Sequence, residues 1–446
     1  MKNILIYGLK NSGLAVIEAL INENNIFIYD DDKRNLENVY NSYKREVNIF
    51  KNFDETNLKQ IDLIVISPAI SIYKKEIIFA QNLGIKVIGE MELGYLMGIQ
   101  PKISVTGSNG KSTLVKMIEY TFKVAGKNAK AVGNIGVPIS NFFSDGERNL
   151  INEVSSFQLE SINTYRSPIS VILNVTPNHL DRHLTFNNYL NSKLRLINNA
   201  NDTDIKILNY DDENLKKIKL KNTYFFSLKD KVKGAYLDRN NFLCLNIKKK
   251  IIILKKEELS LKGEHNILNC LACILVCYFS GIKVKYIKRA LRTFKGLEHR
   301  QKVVFEYKGV KFIDDSKSTS IDSCLTALKV FKEPIILLLG GKDKNLDYTE
   351  MFEKMPKNMK KIIIFGETAN KMERNIVDSK TTIEYKKVNK LIDAINEAIN
   401  SASNSDVVLL SPATSSFDEF SCFEERGKYF ENKVKEIIKN NEKNQI

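Results

Sequence analysis

Short apolar runs recur along the chain, each followed by a glycine or polar turn and then by a stretch with helical apolar spacing. In the first segment the runs are Lys2–Gly8, Asn25–Asp30, Asp62–Ser67 and Lys86–Glu90, with a helix reaching about Leu20 after the first. Strands that alternate with helices imply parallel βαβ units. A second unit opens with a strand at Lys102–Gly107, a glycine-rich loop and a helix over Ser112–Val124 closed by Gly126. Strands at Ser170–Val175 and Asp204–Asn209 follow, then a lysine-rich β-like region and an apolar helix from about His265 to Phe279. The third unit begins near Gly296–Arg300 with a hairpin, VVFEY and VKFID joined by a Lys308–Gly309 turn. It continues with strands at Ile335–Leu339, Lys361–Phe365 and Val407–Ser411. The expected fold is α/β in three domains, 1–97, 98–297 and 298–446, the outer two Rossmann-like and the central one of P-loop ATPase type.

Composition changes this picture little. A chain of 446 residues exceeds what one core usually serves, which agrees with three domains. No apolar run reaches the roughly 18–20 residues of a membrane helix, and the N-terminus enters a strand with no signal-peptide pattern, so a soluble cytoplasmic protein is expected. Lys and Arg number 68 against 53 Asp and Glu, a net charge of +15. The lysines are scattered and lack the aromatic interleaving of a nucleic-acid platform, so no nucleic-acid partner is expected. Cys270, Cys273 and Cys277 recur at the spacing of one buried helix face, and no paired CxxC spacing offers a zinc site.

The strongest chemical signal is Thr106-Gly107-Ser108-Asn109-Gly110-Lys111-Ser112-Thr113, between a hydrophobic strand and a helix. Backbone N–H groups of such a loop wrap phosphate oxygens, Lys111 reaches the β- and γ-phosphates, and the Ser112 or Thr113 hydroxyl can ligate Mg²⁺. The usual loop has a glycine where Val105 stands, so this one is shorter. Glu153 and His179 each follow a buried strand, and a carboxylate and an imidazole at adjacent strand ends facing a nucleotide loop make a magnesium site. Lys193, read locally, is a lysine on a helix surface. In the third unit FIDDSKSTS, LLLGGKDKN and LLSPATSSFDEF repeat one arrangement, a buried strand and then a polar loop. Three such edges point to a site on the third domain facing the second.

TGSNGKST, NEVSSFQLE, NVTPNHLDRH with SKLRL, GEHNILN, GLEHR, DDSKSTS, LLLGGKDK and LLSPATSSFDEF occur in this order over nearly the whole chain. Together they resemble the Mur ligases, whose own phosphate loop is the shortened TGxNGKST form. DSKST favours the member of that family that adds D-glutamate. The resemblance implies ATP-driven joining of D-glutamate to UDP-N-acetylmuramoyl-L-alanine through an acyl phosphate, in cytoplasmic peptidoglycan precursor synthesis, by a monomer.

It further implies that the phosphate loop, Gly107 to Thr113, with Asn269, Arg300 and Asp315, binds ATP. Glu153 and His179 would belong to the magnesium sites, together with Lys193 in carbamylated form. Asn134 and His179 would meet the UDP-sugar near its reacting carboxylate, and Lys317, Thr319, Lys344, Ser416 and Phe423 would grip D-glutamate. The first domain would bind the UDP group through Asn11, Ser12, Asp30, Asp31 and Ala69. Its turn has Lys10 where GxGxxG has its middle glycine, which argues against the rival reading, a dinucleotide-dependent oxidoreductase. Asp32 stands where the family has an arginine, and Ala69 where SPGI has glycine. A Mur-type ligase adding a different amino acid is the nearer rival. The third domain is expected to swing onto the second once ATP is bound.

Overall fold

The computed structural model describes residues 1–44, 46–142, 149–343 and 346–443. The apolar runs become inner strands of three sheets, divided between two compact units, Met1–Phe294 and Lys295–Ile446.

The first sheet runs, in spatial order, Val47–Ile49, Asn25–Tyr29, Asn3–Tyr7, Leu63–Ile66 and Lys86–Gly89, all parallel. Ile4 to Leu9 are buried without alternation, as a strand covered on both faces requires. Strand order reverses between Asn3–Tyr7 and Leu63–Ile66, and the crevice of such a sheet opens outside the carboxyl ends of the strands at that point. The helix Asn11–Leu20 crosses the turn so closely that a Cβ on Gly13 would lie 2.1 Å from the Gly8 carbonyl oxygen. The edge strand Val47–Ile49 buries only Val47, which is why no apolar run announces it.

The second sheet has nine strands: Lys250–Lys255, Phe242–Asn246, Gly234–Leu237, Thr223–Ser227, Ile205–Asn209, Ile169–Ile172, Ile103–Thr106, Asn149–Glu153 and Ala129–Gly133. The lysine-rich region supplies the antiparallel end, where Ile253 and Leu254 turn inward and Lys250 and Lys255 stay exposed. Charged edges of this kind discourage further strand pairing. The helix Glu264–Phe279 is buried at every residue from Asn269 to Cys277, so the face that carries its cysteines lies inside a core.

Buried carboxylates join the two sheets of this unit. Glu92 accepts the N–H groups of Asn163, Thr164 and Tyr165 and the Thr164 hydroxyl, and Glu90 accepts the N–H and hydroxyl of Ser140. Both acids open the helix Glu90–Leu96, so the linker after the last strand of the first sheet is bolted to the second.

The second unit has one sheet, Lys302–Tyr307, Val310–Asp314, Val407–Leu410, Ile335–Gly340, Met359–Phe365 and Glu384–Lys387, parallel except for the first strand. The expected hairpin turn is present. Lys308 at φ 46° and Gly309 at φ 77° have the left-handed conformations that a tight two-residue loop needs. Among the described residues no helix is long and apolar enough to cross a membrane.

Candidate functional site

In the first unit the site is built on the strand Ile103–Thr106, inside its sheet, which leads through the glycine loop into the helix Lys111–Val124, whose N-cap Gly110 offers no side-chain cap to the first N–H groups. Gly110 sits at φ 88°, and a Cβ there would come within 2.7 Å of Asn269 Oδ1. Only glycine lets the loop pass this close to the buried Asn269, which stands on the helix Glu264–Phe279. Asn174 fastens the other side, accepting the Asn109 N–H at 2.9 Å and donating to the Asn109 carbonyl at 3.1 Å. The Ser108 hydroxyl lies 2.8 Å from the Tyr189 hydroxyl, and Ser108 accepts the Thr176 N–H. The loop is thus held in shape by the segment after Ile169–Ile172 and by two helices, as a phosphate cradle must be.

Two lysines converge on one carbonyl of this loop. Lys111 Nζ donates to Gly107 O at 2.8 Å and to Ser108 O at 3.0 Å, and Lys193 Nζ donates to Gly107 O at 3.0 Å. Lys193 is not on a helix surface: it is 1% exposed, with its ammonium 4.7 Å from the Tyr189 ring centre. The local reading failed because polarity along the helix Phe186–Asn198 says nothing about which turn faces the sheet. Burial, reinforced by the charge of Lys111, pulls the Lys193 pKa well below its ordinary value, so this amine is held toward its neutral form.

Glu153 and His179 are not at adjacent strand ends. Glu153 closes the strand Asn149–Glu153 and His179 follows Ile169–Ile172, and the phosphate-loop strand lies between those two. They therefore flank the loop on opposite sides, an order that tertiary pairing decides. Glu153 is paired in register with Val105, immediately before Thr106. Its Oε1 accepts from Asn134 Nδ2 at 2.8 Å, while Oε2 is buried with no hydrogen-bond partner. An orphaned carboxylate oxygen in a buried site is costly unless a cation completes it.

His179 is exposed and left-handed at φ 54°, with its ring 4.8 Å from that of Phe157. Three residues on, Arg182 lies over the same Phe157 ring, pairs with Glu160 at 2.7 Å and donates to the carbonyls of Pro68, Ala69 and Ile70. Arg182 thereby ties the loop after Leu63–Ile66 in the first sheet to the His179 turn.

In the first sheet, Asn11 and Ser12 open the helix after the Gly8 turn. Asp30 accepts the N–H groups of Leu9 and Asp32, and Asp32 caps the helix Lys33–Ser42 through the Arg34 N–H. Among the described residues no group of three or more His, Cys, Asp and Glu side chains could hold a metal by itself. A magnesium ion here would need hydroxyls and ligand oxygens as well.

In the second unit the candidates gather at the carboxyl ends of its strands. Asp315 is buried and accepts from the Ser411 hydroxyl at 2.8 Å, and burial raises its carboxyl pKa to about 6. The Lys317 ammonium lies 5.3 Å from the Phe423 ring centre, and the Phe423 carbonyl accepts from the Ser316 hydroxyl. Thr319 follows, its N–H donating to the Lys317 carbonyl, and Ser416 is buried nearby in sequence to Ser415. Arg300 lies between His299 and Gln301, both left-handed, and His299 Nδ1 is 2.6 Å from Asp314 Oδ2. Lys344 lies outside the described residues.

Arg426 was not singled out from sequence. It is 1% exposed, and its guanidinium donates to the Ser316 hydroxyl and carbonyl and to the carbonyls of Thr414 and Ser415. It clamps the loops that carry Lys317 and Ser416, including left-handed Ala413 at φ 58°. Burial lowers its pKa to about 10, and among the described residues no carboxylate hydrogen-bonds to it. Arg426→Met, which strands these buried carbonyls, is expected to lower stability by about 3 kcal/mol. A urea unfolding midpoint unchanged from wild type would contradict the clamp. Its sequence neighbours Glu424, Glu425 and Lys428 are exposed, so nothing local marks the position.

The chain matches the MurD-like N-terminal domain of Mur ligases over residues 2–89, the Mur ligase middle domain over 105–277 and the Mur ligase glutamate ligase domain over 299–414. It is 38% identical to the UDP-N-acetylmuramoylalanine–D-glutamate ligase of Caldanaerobacter subterraneus subsp. tengcongensis and 35% identical to that of Clostridioides difficile. Each comparison covers 98% of this chain, and 98% and 99% of the two relatives. Among solved structures, a UDP-N-acetylmuramate–alanine ligase from Thermotoga maritima has the same fold at TM-score 0.59 and 19% identity, over 99% of this chain and all of the other. The MurF ligase of Thermotoga maritima in complex with ADP aligns at TM-score 0.61 and 16% identity, over 97% of this chain and 98% of the other.

Proposed function

The chain belongs to the Mur ligase family, and from that premise we propose that it joins D-glutamate to UDP-N-acetylmuramoyl-L-alanine at the expense of ATP. The observation that carries the reading is the convergence of Lys111 and the buried Lys193 on Gly107 O, with the partnerless oxygen of Glu153 at the end of the neighbouring strand.

A carboxylate is a poor electrophile. In the proposed reaction an oxygen of the alanyl carboxylate attacks the γ-phosphorus of ATP, ADP leaves, and an acyl phosphate forms. The D-glutamate amine then attacks the acyl carbon, loses a proton, and the tetrahedral adduct expels phosphate as the amide forms. Positioning and charge neutralisation supply most of the acceleration in such phosphoryl transfers.

Lys111 would leave the loop carbonyls for the γ-phosphate and neutralise charge during transfer. Glu153, the Ser112 and Thr113 hydroxyls, His179 and a carbamylated Lys193 fit Mg²⁺, since the set is mainly hard oxygen and leaves places for phosphate oxygens. Held by these residues, magnesium would supply positive charge that offsets the negative charge of the nucleotide and the carboxylate. The lowered pKa of Lys193 suits carbamylation, because the unprotonated amine's lone pair attacks the carbon of CO₂, one N–H proton leaves, and a neutral amine becomes a carbamate anion. Asn134, which holds Glu153, would sit where the alanyl end of the UDP-sugar arrives. In the second unit Arg300 and Asp315 would be nucleotide contacts, and Lys317, Thr319, Lys344, Ser416 and Phe423 would hold the two carboxylates of D-glutamate. Asn11, Ser12, Asp30, Asp31 and Ala69 would meet the UDP group.

The test is phosphate release from ATP by purified protein with UDP-N-acetylmuramoyl-L-alanine and each candidate amino acid in turn. Release dependent on D-glutamate is expected. Release only with another amino acid would reject the assignment in favour of a different Mur-type specificity.

A further inference from the structure

Three side chains at the mouth of the first sheet's crevice form a cluster that the reaction above leaves unused as a unit. The Tyr7 hydroxyl donates to Asp31 Oδ1 at 2.8 Å, and Lys74 Nζ donates to the Tyr7 hydroxyl at 2.7 Å and to Asp31 Oδ2 at 2.7 Å. Tyr7 ends the strand Asn3–Tyr7, and Asp31 and Lys74 follow the neighbouring strands Asn25–Tyr29 and Leu63–Ile66, astride the point where strand order reverses. Tyr7 is fully buried and forms the floor of the cluster. The Lys74 and Asp31 side chains are 34% and 51% exposed, so they face whatever enters the crevice.

The charges there present a problem for an anionic ligand. Asp30, Asp31 and Asp32 follow one another where a diphosphate would approach. Asp30 is occupied by the N–H groups of Leu9 and Asp32, and Asp32 pairs with Arg34. Asp31 is balanced by Lys74, which reaches it from 43 residues away in sequence. The ammonium spends two of its three N–H donors on Tyr7 and Asp31. A half-exposed ion pair contributes little to stability, so the arrangement is poorly explained as a fold-holding contact.

We propose that Lys74 is a specificity-determining residue of the uridine-diphosphate subsite, cancelling the Asp31 charge and giving its third N–H to the ligand's diphosphate. The proposal rests on the reading that this crevice takes a UDP-sugar. Lys74 thereby brings a cation to this subsite from a different loop of the same sheet.

The experiment measures UDP binding calorimetrically and initial rates with the full-length protein. For Lys74→Met, the Kd for UDP and the KM for UDP-N-acetylmuramoyl-L-alanine are expected to rise about tenfold, with kcat and the KM for ATP within about twofold of wild type. Lys74→Arg is expected to stay near wild type. The double variant Lys74→Met, Asp31→Asn is expected to recover only part of the UDP affinity, because it removes the uncompensated carboxylate but does not restore the N–H given to the diphosphate. Unchanged UDP affinity in Lys74→Met overturns the proposal, and so does a loss shared equally by the KM for ATP, which marks a merely structural role. Wild-type protein that does not bind UDP overturns it too. If wild type binds UDP yet releases no phosphate with D-glutamate, the ligase reading fails while the UDP comparison still decides the role of Lys74.

Discussion

Lys111→Ala is expected to lower D-glutamate-dependent phosphate release by about a thousandfold or more while leaving the protein folded. The loop lysine is half-buried, and its contacts to Gly107 O and Ser108 O are within its own loop. No core cluster loses a member when it is truncated. The cost falls on the transition state, where charge spreads over the transferring phosphoryl oxygens and a preorganised cation is worth most. Phosphate release and a thermal unfolding midpoint, measured on one preparation, separate the two effects. Turnover retained in the alanine variant would contradict the assigned role.

The second large effect is expected at Lys193. Lys193→Ala should lose about a hundredfold or more of the activity and regain part of it when a short-chain carboxylate such as formate or acetate is added. The reason is spatial. Removing the side chain leaves a small buried space under Gly107 and beside the Tyr189 ring, where an added carboxylate can take the position of a carbamate. A plain lysine in ammonium form would repel magnesium, and its loss would not be repaired by an anion. The neutral amine predicts a further sign. Carbamylation needs the unprotonated form, so wild-type activity should fall as pH drops and respond to added bicarbonate. Alanine without effect, or loss without any carboxylate rescue, would refute the modified-lysine reading.

Much of this site could be read along the chain, for a local reason. A glycine-rich loop between a buried strand and a helix is a contiguous device, so Gly107 to Thr113 announce their geometry in sequence, and the Gly110 conformation follows. The hairpin at Lys308–Gly309 was legible for the same reason. Resemblance pointed to Lys193, Glu153 and His179, but their surroundings were not legible. The burial of Lys193 depends on which face of its helix meets the sheet. The separation of Glu153 from His179 depends on the phosphate-loop strand entering between theirs. Arg426 and Lys74 escaped detection because their partners lie far off in sequence, Ser316 at 110 residues and Tyr7 at 67.

By itself, then, the sequence determined the α/β alternation, the phosphate loop and the ordered motifs that mark the family, because each is written in residues close together on the chain. Only the tertiary structure decided the protonation tendency of Lys193, the missing partner of Glu153 Oε2, and the cations that answer Asp31 and the strand-end loops. Desolvation and charge pairing act through space, and strand order together with the packing of helices on the sheets brings those groups within reach of one another.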